Sequence, residues 1–404
     1  MNNKMNLPKW LYIIGVGLVF SSCKIPTLIQ VPDSKSTPTS YNNTLDTTNV
    51  AQIQWSDYFA DKKLITLIDT AIKHNLDVLM TLQEIEIAKN KVRYANGKLL
   101  PTIAAAGGLG FDKVGTYTSQ GAGDASADIT PGNRVPEILG DQRLGFQASW
   151  EADIWGKLKN AKKAAFSRYL ESVEGKNLVV TSLVAEVANT YFELLALHNQ
   201  LTIIDETIQL QKNGLEIVQV QKEANVVTEL AVKQFEAQLY NAQNLQFNVL
   251  QNIAESENKI NFLLGRFPQK IEVDTNFFIQ SLPPAVKVGV PSQLLQNRPD
   301  IKQAELELNA TKCDVLAAKA EFYPSLNIGA SLGFNAFKSN YLFRTPESII
   351  YNFMGDLSGP LVNKSAIIAE FKTANAMQIE ALYNYQKTIL NGFVEVSNQV
   401  SNIQ

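Results

Sequence analysis

Twice in this chain, 223 residues apart, a helical hydrophobic period gives way to strict alternation at a proline. Residues 62–96 place Leu64, Ile65, Leu67, Ile68, Ala71, Ile72, Leu79, Leu82, Ile85, Ala88, Val92 and Ala95 at the three- and four-residue spacing of an amphipathic helix. Leu100-Pro101 comes next, and the pattern over 101–112 then repeats every second residue. The same change occurs at Tyr323-Pro324, with Pro, Leu, Gly and Phe at equivalent places and Asp77/Asp300, Lys89/Lys312, Val92/Val315 and Ala95/Ala318 matching upstream. A tandem duplication restricts the fold to two similar halves, each mixing long helices with short strands.

Each copy holds two alternating segments, 101–112 and 143–154 in the first, 324–335 and about 351–361 in the second. Over 143–154, Leu144, Phe146, Ala148, Trp150, Ala152 and Ile154 share one face, and Arg143, Gly145, Gln147, Ser149, Glu151 and Asp153 the other. Segments of this length match the roughly 9–11 residues that a tilted strand needs to cross a bilayer. Alternation alone fits a soluble one-sided sheet equally well. Aromatic residues at the strand ends, as an interfacial girdle requires, favour the membrane, and Phe111, Trp150, Trp155 and Phe334 are the interface candidates. On the polar face, Arg143, Glu151, Asp153 and Asp356 are the lumen-facing candidates, and carboxylate rings around a pore favour cations. Four strands cannot close a barrel, and an open edge in lipid leaves backbone groups unpaired, so several chains must pool their strands.

The helical period returns from about Lys157 to Lys222, which at 1.5 Å per residue reaches on the order of 100 Å. A break at Ala224-Asn225-Val226-Val227 ends it, where Asn225 suits a left-handed turn and Thr228 a helix cap. Asn225, Thr228 and Glu229 are thus the expected hairpin tip. The return helix stops at Leu264-Gly265, and Pro-rich residues 268–299 link the copies, with Asp300 placed to cap the next helix.

Composition excludes several functions. The net charge of −3 gives no basic surface for nucleic acid. Two cysteines and two histidines, Cys23, Cys313, His74 and His198, are too few for a disulfide framework or zinc cluster. No cofactor or metal is expected. Gly329-Ala330-Ser331-Leu332-Gly333 matches a nucleophile elbow, but no histidine comes after it and Gly108 stands at the serine's place in the first copy. No catalysis is expected. Gly107-Gly108-Leu109-Gly110 lies inside an alternating segment, where glycine lets a strand curve.

At the N-terminus, Lys4 and Lys9 precede the apolar run Trp10 to Phe20, then Ser21-Ser22-Cys23. This reads as a signal peptide over 1–22, too short for a permanent span. The cysteine after two small residues resembles a bacterial lipobox, making Cys23 the lipidation candidate. Residues 23–54 then read as an anchor and a polar spacer.

The chain closely resembles the TolC-like outer-membrane efflux channels, in particular their lipid-anchored branch. The likeness rests on Trp55-x-x-Tyr58-Phe59-x-Asp61-x-x-Leu64, Asn75-Leu76-Asp77-Val78, Leu100-Pro101, Ser149 to Leu158, Leu263-Leu264-Gly265, Asn297-Arg298-Pro299-Asp300-Ile301 and Ala320-Glu321-Phe322-Tyr323-Pro324-Ser325-Leu326. It implies an α+β membrane protein: a homotrimer pooling four transmembrane strands per chain into a 12-stranded β-barrel, continued by a long α-helical coiled-coil barrel. It also implies an outer-membrane location, a periplasmic adaptor and an inner-membrane resistance-type pump as partners, and outward passage of drugs, metals or small molecules. A type I protein-export channel and a structural or adhesive surface lipoprotein are the alternatives. The family usually carries glycine near Asn225 and an acid near Ala231, so this tip departs from it. The first repeat is expected over 55–267 and the second over 300–404. The first hairpin spans 108 residues, 157–264, against 41 for 364–404, so the second copy is expected to stop before its last helix, and its gate residues to lie beyond Gln404.

Overall fold

The computed structural model describes residues 38, 53–273, 289–360, 362 and 364–403. Cys23, the signal peptide over 1–22, nearly all of the spacer and the middle of the 268–299 linker lie outside the described residues.

Helix α1, Lys62–His74, starts at Asp61, whose carboxylate accepts the N–H groups of Lys63 at 2.7 Å and Leu64 at 3.4 Å. The single helical period over 62–96 is in fact two helices, because Asn75 interrupts it. The buried Asn75 amide oxygen accepts from Asp77 and Val78 to start α2, Leu76–Gly97, while its nitrogen donates to the Leu263 carbonyl at 3.0 Å. The apolar spacing runs on past this break, so the pattern did not reveal it.

Strand β1 is Thr102–Asp112 and β2 is Leu139–Ala152; α3, Lys157–Glu223, and α4, Glu229–Leu263, form the hairpin. Then come α5, Pro299–Ala320, β3, Ser325–Ala336, β4, Ile349–Ser358, and α6, Ser365–Ile403. The strands form one antiparallel sheet in chain order, with β1 and β4 at its edges. The loop from β1 to β2 is ordered around a short helix, Ser119–Asp124, capped by Thr118, and a two-stranded ribbon, Asp128–Thr130 with Asn133–Arg134.

The α3–α4 turn places Asn225 at φ 57°. Val226 donates to the Gln221 carbonyl and Asn225 to that of Lys222, at 2.8 and 2.9 Å, closing the helix with a left-handed residue at its end. Thr228 takes the cap position, but contrary to expectation its side chain makes no capping bond. The ion pair of Lys222 and Glu229 spans the turn instead. Asp300 also departs from expectation. Helix α5 already begins at Pro299, so Asp300 lies in the first turn, accepting from the Ile301 N–H and, through both oxygens, from Arg298. At the far end of α4, Gly265 adopts φ +67° beneath the His74 carbonyl, where a Cβ would come within 2.4 Å.

The described chain forms two compact units, and each draws on both sequence copies. One contains residues 89–168 and 307–382, the other the described parts of 34–88, 169–306 and 383–404. The first holds the sheet and an apolar cluster of Val315, Ala318, Phe322, Phe371 and Ala374, where the Phe322 and Phe371 rings meet edge to face. In the second, Leu64, Ile68, Val187, Tyr191, Leu194, Leu195, Ile260 and Leu264 pack α1, α3 and α4 together. Among the described helices, α3 alone is long and apolar enough to cross a membrane. Part of that apolar stripe supplies this core.

Candidate functional site

Register fixes which side chains share a face of the sheet. Pairs Ser149–Gly329, Gln147–Ser331 and Arg143–Asn335 join β2 to β3, and Asn327–Asp356 and Ser331–Asn352 join β3 to β4. One face therefore carries Thr102, Arg143, Gln147, Ser149, Glu151, Asn327, Ser331, Asn335, Asn352 and Asp356, with Leu139, Ile350 and Met354 as larger apolar exceptions. The opposite face carries Ile103, Leu109, Phe111, Leu144, Phe146, Trp150, Leu332, Phe334, Tyr351, Phe353 and Leu357. Most of these large apolar groups are open to the surroundings; Leu109 is 85% exposed and Phe353 78%. Burial of apolar area contributes about 25 cal/mol per Å², so a soluble sheet would cover this face. Lipid suits it.

Of the four interface candidates, Phe111, Phe334 and Trp150 lie toward the two ends of this apolar face, and Trp155 follows the end of β2. Phe111 and Phe334 occupy equivalent places near the loops, and the Phe334 ring meets Phe343 at 5.5 Å. Trp150 and Trp155 lie at the helix end. Trp150 Nε1 donates to the Leu99 carbonyl at 3.0 Å, and Trp155 Nε1 to that of Pro324 at 2.8 Å while stacking on Tyr323. Each indole thus holds the approach to one copy's first strand, a structural task the alternation did not show.

The lumen-facing candidates separate into two groups. At the loop end Arg143 pairs with Asp141 at 2.5 Å, and Asp141 also accepts from Asn335 at 2.6 Å. At the helix end Glu151, Asn327 and Asp356 form one row across three strands, and Glu151 pairs with Lys157 at 2.5 Å. Asp153 has a different place from the one expected. Strand β2 ends at Ala152, and the Asp153 oxygens accept from the N–H groups of Leu158 and Lys159 at 3.0 and 2.8 Å. Free donors at a helix start attract a carboxylate, and Asp153 is committed there.

The helix-end row faces a cavity of about 1050 Å³, whose far side is built by α3, α5 and α6. Asp314, Glu321 and Glu370 line it with Glu151 and Asp356, against the cations Lys98 and Lys157. Burial pushes the Glu321 carboxyl above the ordinary carboxylate range, and the neighbouring Glu370 adds to the effect. Arg168 on α3 holds Asp314 at 2.6 Å and Glu307 through two further bonds, fastening α5 beside the cavity. Sequence reasoning missed these helical acids, since the helix phase relative to the sheet is a tertiary property. Glu321 alone carried a signal, directly before the Phe322-Tyr323-Pro324 motif. No group of three or more metal-ligating side chains occurs among the described residues. Ser331 sits mid-strand between Gln147 and Asn352, far from an elbow's strand-to-helix turn. Burial raises the pKa of the Cys313 thiol, as befits a packed side chain.

Comparison with known proteins agrees with this geometry. The chain is 29% identical to the pyoverdine export outer membrane protein OpmQ of Pseudomonas aeruginosa, over 87% of this chain and 72% of that protein. It is 26% identical to the cation efflux system protein CusC of Escherichia coli, over 87% of this chain and 73% of that one. Its fold matches the open state of the Neisseria gonorrhoeae MtrE outer membrane channel with a TM-score of 0.79 at 21% identity, covering 93% of this chain and 81% of that one. The sequence model described as outer membrane efflux protein matches residues 67–266 and 290–404. A sheet with a bare apolar face, a polar face turned to a cavity and a long helical hairpin are thus the parts of an outer-membrane channel of an efflux system, and the chain belongs to the outer membrane efflux protein family.

Proposed function

We propose that three copies of this chain close a single 12-stranded barrel in the outer membrane, and that their helices continue its pore toward a periplasmic adaptor and an inner-membrane resistance-type pump. One observation carries this reading: a four-stranded antiparallel sheet with two unpaired edges and a bare apolar face. In lipid each unpaired backbone group costs several kcal/mol, so the edges must pair, and a ring of identical chains pairs them all. The barrel is a conduit that does no chemistry on its cargo. Polar and acidic groups face the pore, and Glu151, Asp314, Glu321, Glu370 and Asp356 outnumber Lys98 and Lys157 at its junction with the helices. That balance favours cations over anions. Selection of the cargo is left to the pump.

The lipobox-like Ser21-Ser22-Cys23 supports acylation of Cys23 as an additional anchor. Each buried methylene contributes about 0.8 kcal/mol. Radiolabelled palmitate incorporation that survives Cys23→Ser would refute this step. The conduit itself is tested by planar-bilayer recording of the purified protein under a salt gradient. Discrete conductance steps with a cation-selective reversal potential are expected. A folded trimer that opens no channel overturns the reading, and a structural stalk becomes the better description.

A further inference from the structure

We infer that neighbouring subunits pair β4 with the partner's β1 antiparallel, in a register set by the chain's own repeat: Asp356 opposite the partner's Gly108, and Leu357 opposite the partner's Gly107. This rests on the trimeric barrel proposed above and specifies its subunit seam.

The duplication serves as a ruler. Thr102 pairs with Ser149 in the first hairpin and Ser325 with Ser358 in the second. Position 102 corresponds to 325 by the repeat, so Ser149 corresponds to Ser358. The match holds at the other end of the hairpins, where Phe111–Gly140 corresponds to Phe334–Ile349. The two hairpins are therefore the same unit in the same register. Within the chain they meet along β2 and β3, where Gln147 pairs with Ser331 and Ala148 with Ala330. In a closed ring the second hairpin must meet the next chain's first hairpin. Head-to-tail repetition of one contact closes such a ring. Transferring the β2–β3 pairs to equivalent positions gives Asp356 with the partner's Gly108, Leu357 with the partner's Gly107, Met354 with the partner's Gly110 and Gly355 with the partner's Leu109.

The transfer keeps every polar-face residue beside a polar-face position, since the pairs carried over are themselves face-matched; a slip of one residue would turn one strand's apolar side to the pore. One property of this register was not used to derive it: it matches volumes. All three glycines of β1, Gly107, Gly108 and Gly110, meet a larger side chain, and Gly355 of β4 meets a leucine. A slip of two residues in one direction sets Gly355 against the partner's Gly107 and takes from both glycines the leucine that each faces in the proposed register. In the other direction it sets Met354 against the partner's Asp112.

Disulfide trapping tests the register in the full chain with Cys313→Ala as background. Directly opposed residues lie about 4.5–5.5 Å apart at Cα, within reach of a disulfide. One double variant, Asp356→Cys with Gly108→Cys, reports on the pore side; the second, Leu357→Cys with Gly107→Cys, reports on the lipid side. A Cβ at Gly108 meets nothing within 4 Å, and at Gly107 nothing closer than 3.5 Å, so both sites accept the change. In one chain these positions lie on opposite edges of the sheet, so any link joins subunits. After copper-phenanthroline oxidation in outer-membrane vesicles, both variants are expected to run as covalent dimers and trimers that a reductant dissolves. The shifted pair Asp356→Cys with Gly110→Cys should give at least fivefold less. A shifted pair that links as well or better overturns the register, as does a native trimer by mass spectrometry in which neither aligned pair links. Absence of any trimer before oxidation defeats the barrel reading itself, and the seam with it.

Discussion

A pair of directly opposed glycines inside the sheet yields a prediction with a built-in control. Gly145 on β2 pairs directly with Gly333 on β3, where the two sequence copies join. A Cβ on Gly145 would lie 2.5 Å from the Leu332 carbonyl oxygen and 2.6 Å from the Gly333 Cα, and a Cβ on Gly333 would meet the Leu144 oxygen at 2.5 Å. Both obstacles are backbone, so no side chain can swing aside. Carbon atoms settle at about 3.5–4.0 Å, so Gly145→Ala requires the strands to part by about 1 Å. Adjoining N–H···O bonds, near 2.9 Å at rest, do not survive that separation. Two lost bonds at about 0.5–1.5 kcal/mol each, with about 1–3 kcal/mol of overpacking, total about 2–6 kcal/mol per chain. The low end already shifts assembly by roughly 30-fold. Gly123→Ala, in the short helix of the β1–β2 loop, is the control, since a Cβ there meets nothing within 4 Å. The assay is the amount of detergent-stable trimer in isolated outer membranes, compared at equal expression. Gly145→Ala and Gly333→Ala should each deplete it while Gly123→Ala leaves it unchanged. Equal trimer from Gly145→Ala and Gly123→Ala would refute the claim that this crossing demands glycine.

Other parts of the chain give separate expectations. Asp61 caps α1 and also accepts the hydroxyl of the fully buried Tyr191 at 2.6 Å, so Asp61→Ala should cost about 2–4 kcal/mol in urea unfolding followed by circular dichroism; Asp61→Ala with Tyr191→Phe should cost less than the two single changes added together. Asp153→Ala frees the Leu158 and Lys159 donors and should lower stability by about 1 kcal/mol with little change in single-channel cation selectivity, whereas Glu151→Gln with Asp356→Asn should reduce that selectivity. The raised Glu321 carboxyl holds a proton in the folded state that the unfolded chain has already released, so its contribution to stability is lost as pH rises through its elevated pKa. Melting temperature recorded from acidic to neutral pH should therefore fall more steeply in the native chain than in Glu321→Gln; identical slopes would refute the assignment.

Periodicity and its direct consequences belong to the sequence. Alternation over ten to twelve residues set the two faces of each strand, because neighbouring side chains on an extended backbone point in opposite directions. The duplication set how many strands the chain supplies, and Asn225 marked the hairpin turn because few residues tolerate a positive φ. Motifs distributed from Trp55 to Leu326 carried the family resemblance that the comparisons confirm. Tertiary structure decided matters in which distant groups compete for the same atoms. Asn75 breaks a helix whose apolar stripe runs straight through, because its amide meets a carbonyl 188 residues away. Asp153 reads as one more polar-face residue until the free N–H groups of α3 claim it. Trp150 and Trp155 read as membrane aromatics, yet each also spends its N–H on a backbone carbonyl that only the folded chain brings near. The acids of α5 and α6 join the lining of the cavity beneath the sheet once the rotation of those helices against it is set. Hydrophobic period is a local property of the chain and can be read directly, whereas a buried polar group must find a partner wherever the fold provides one.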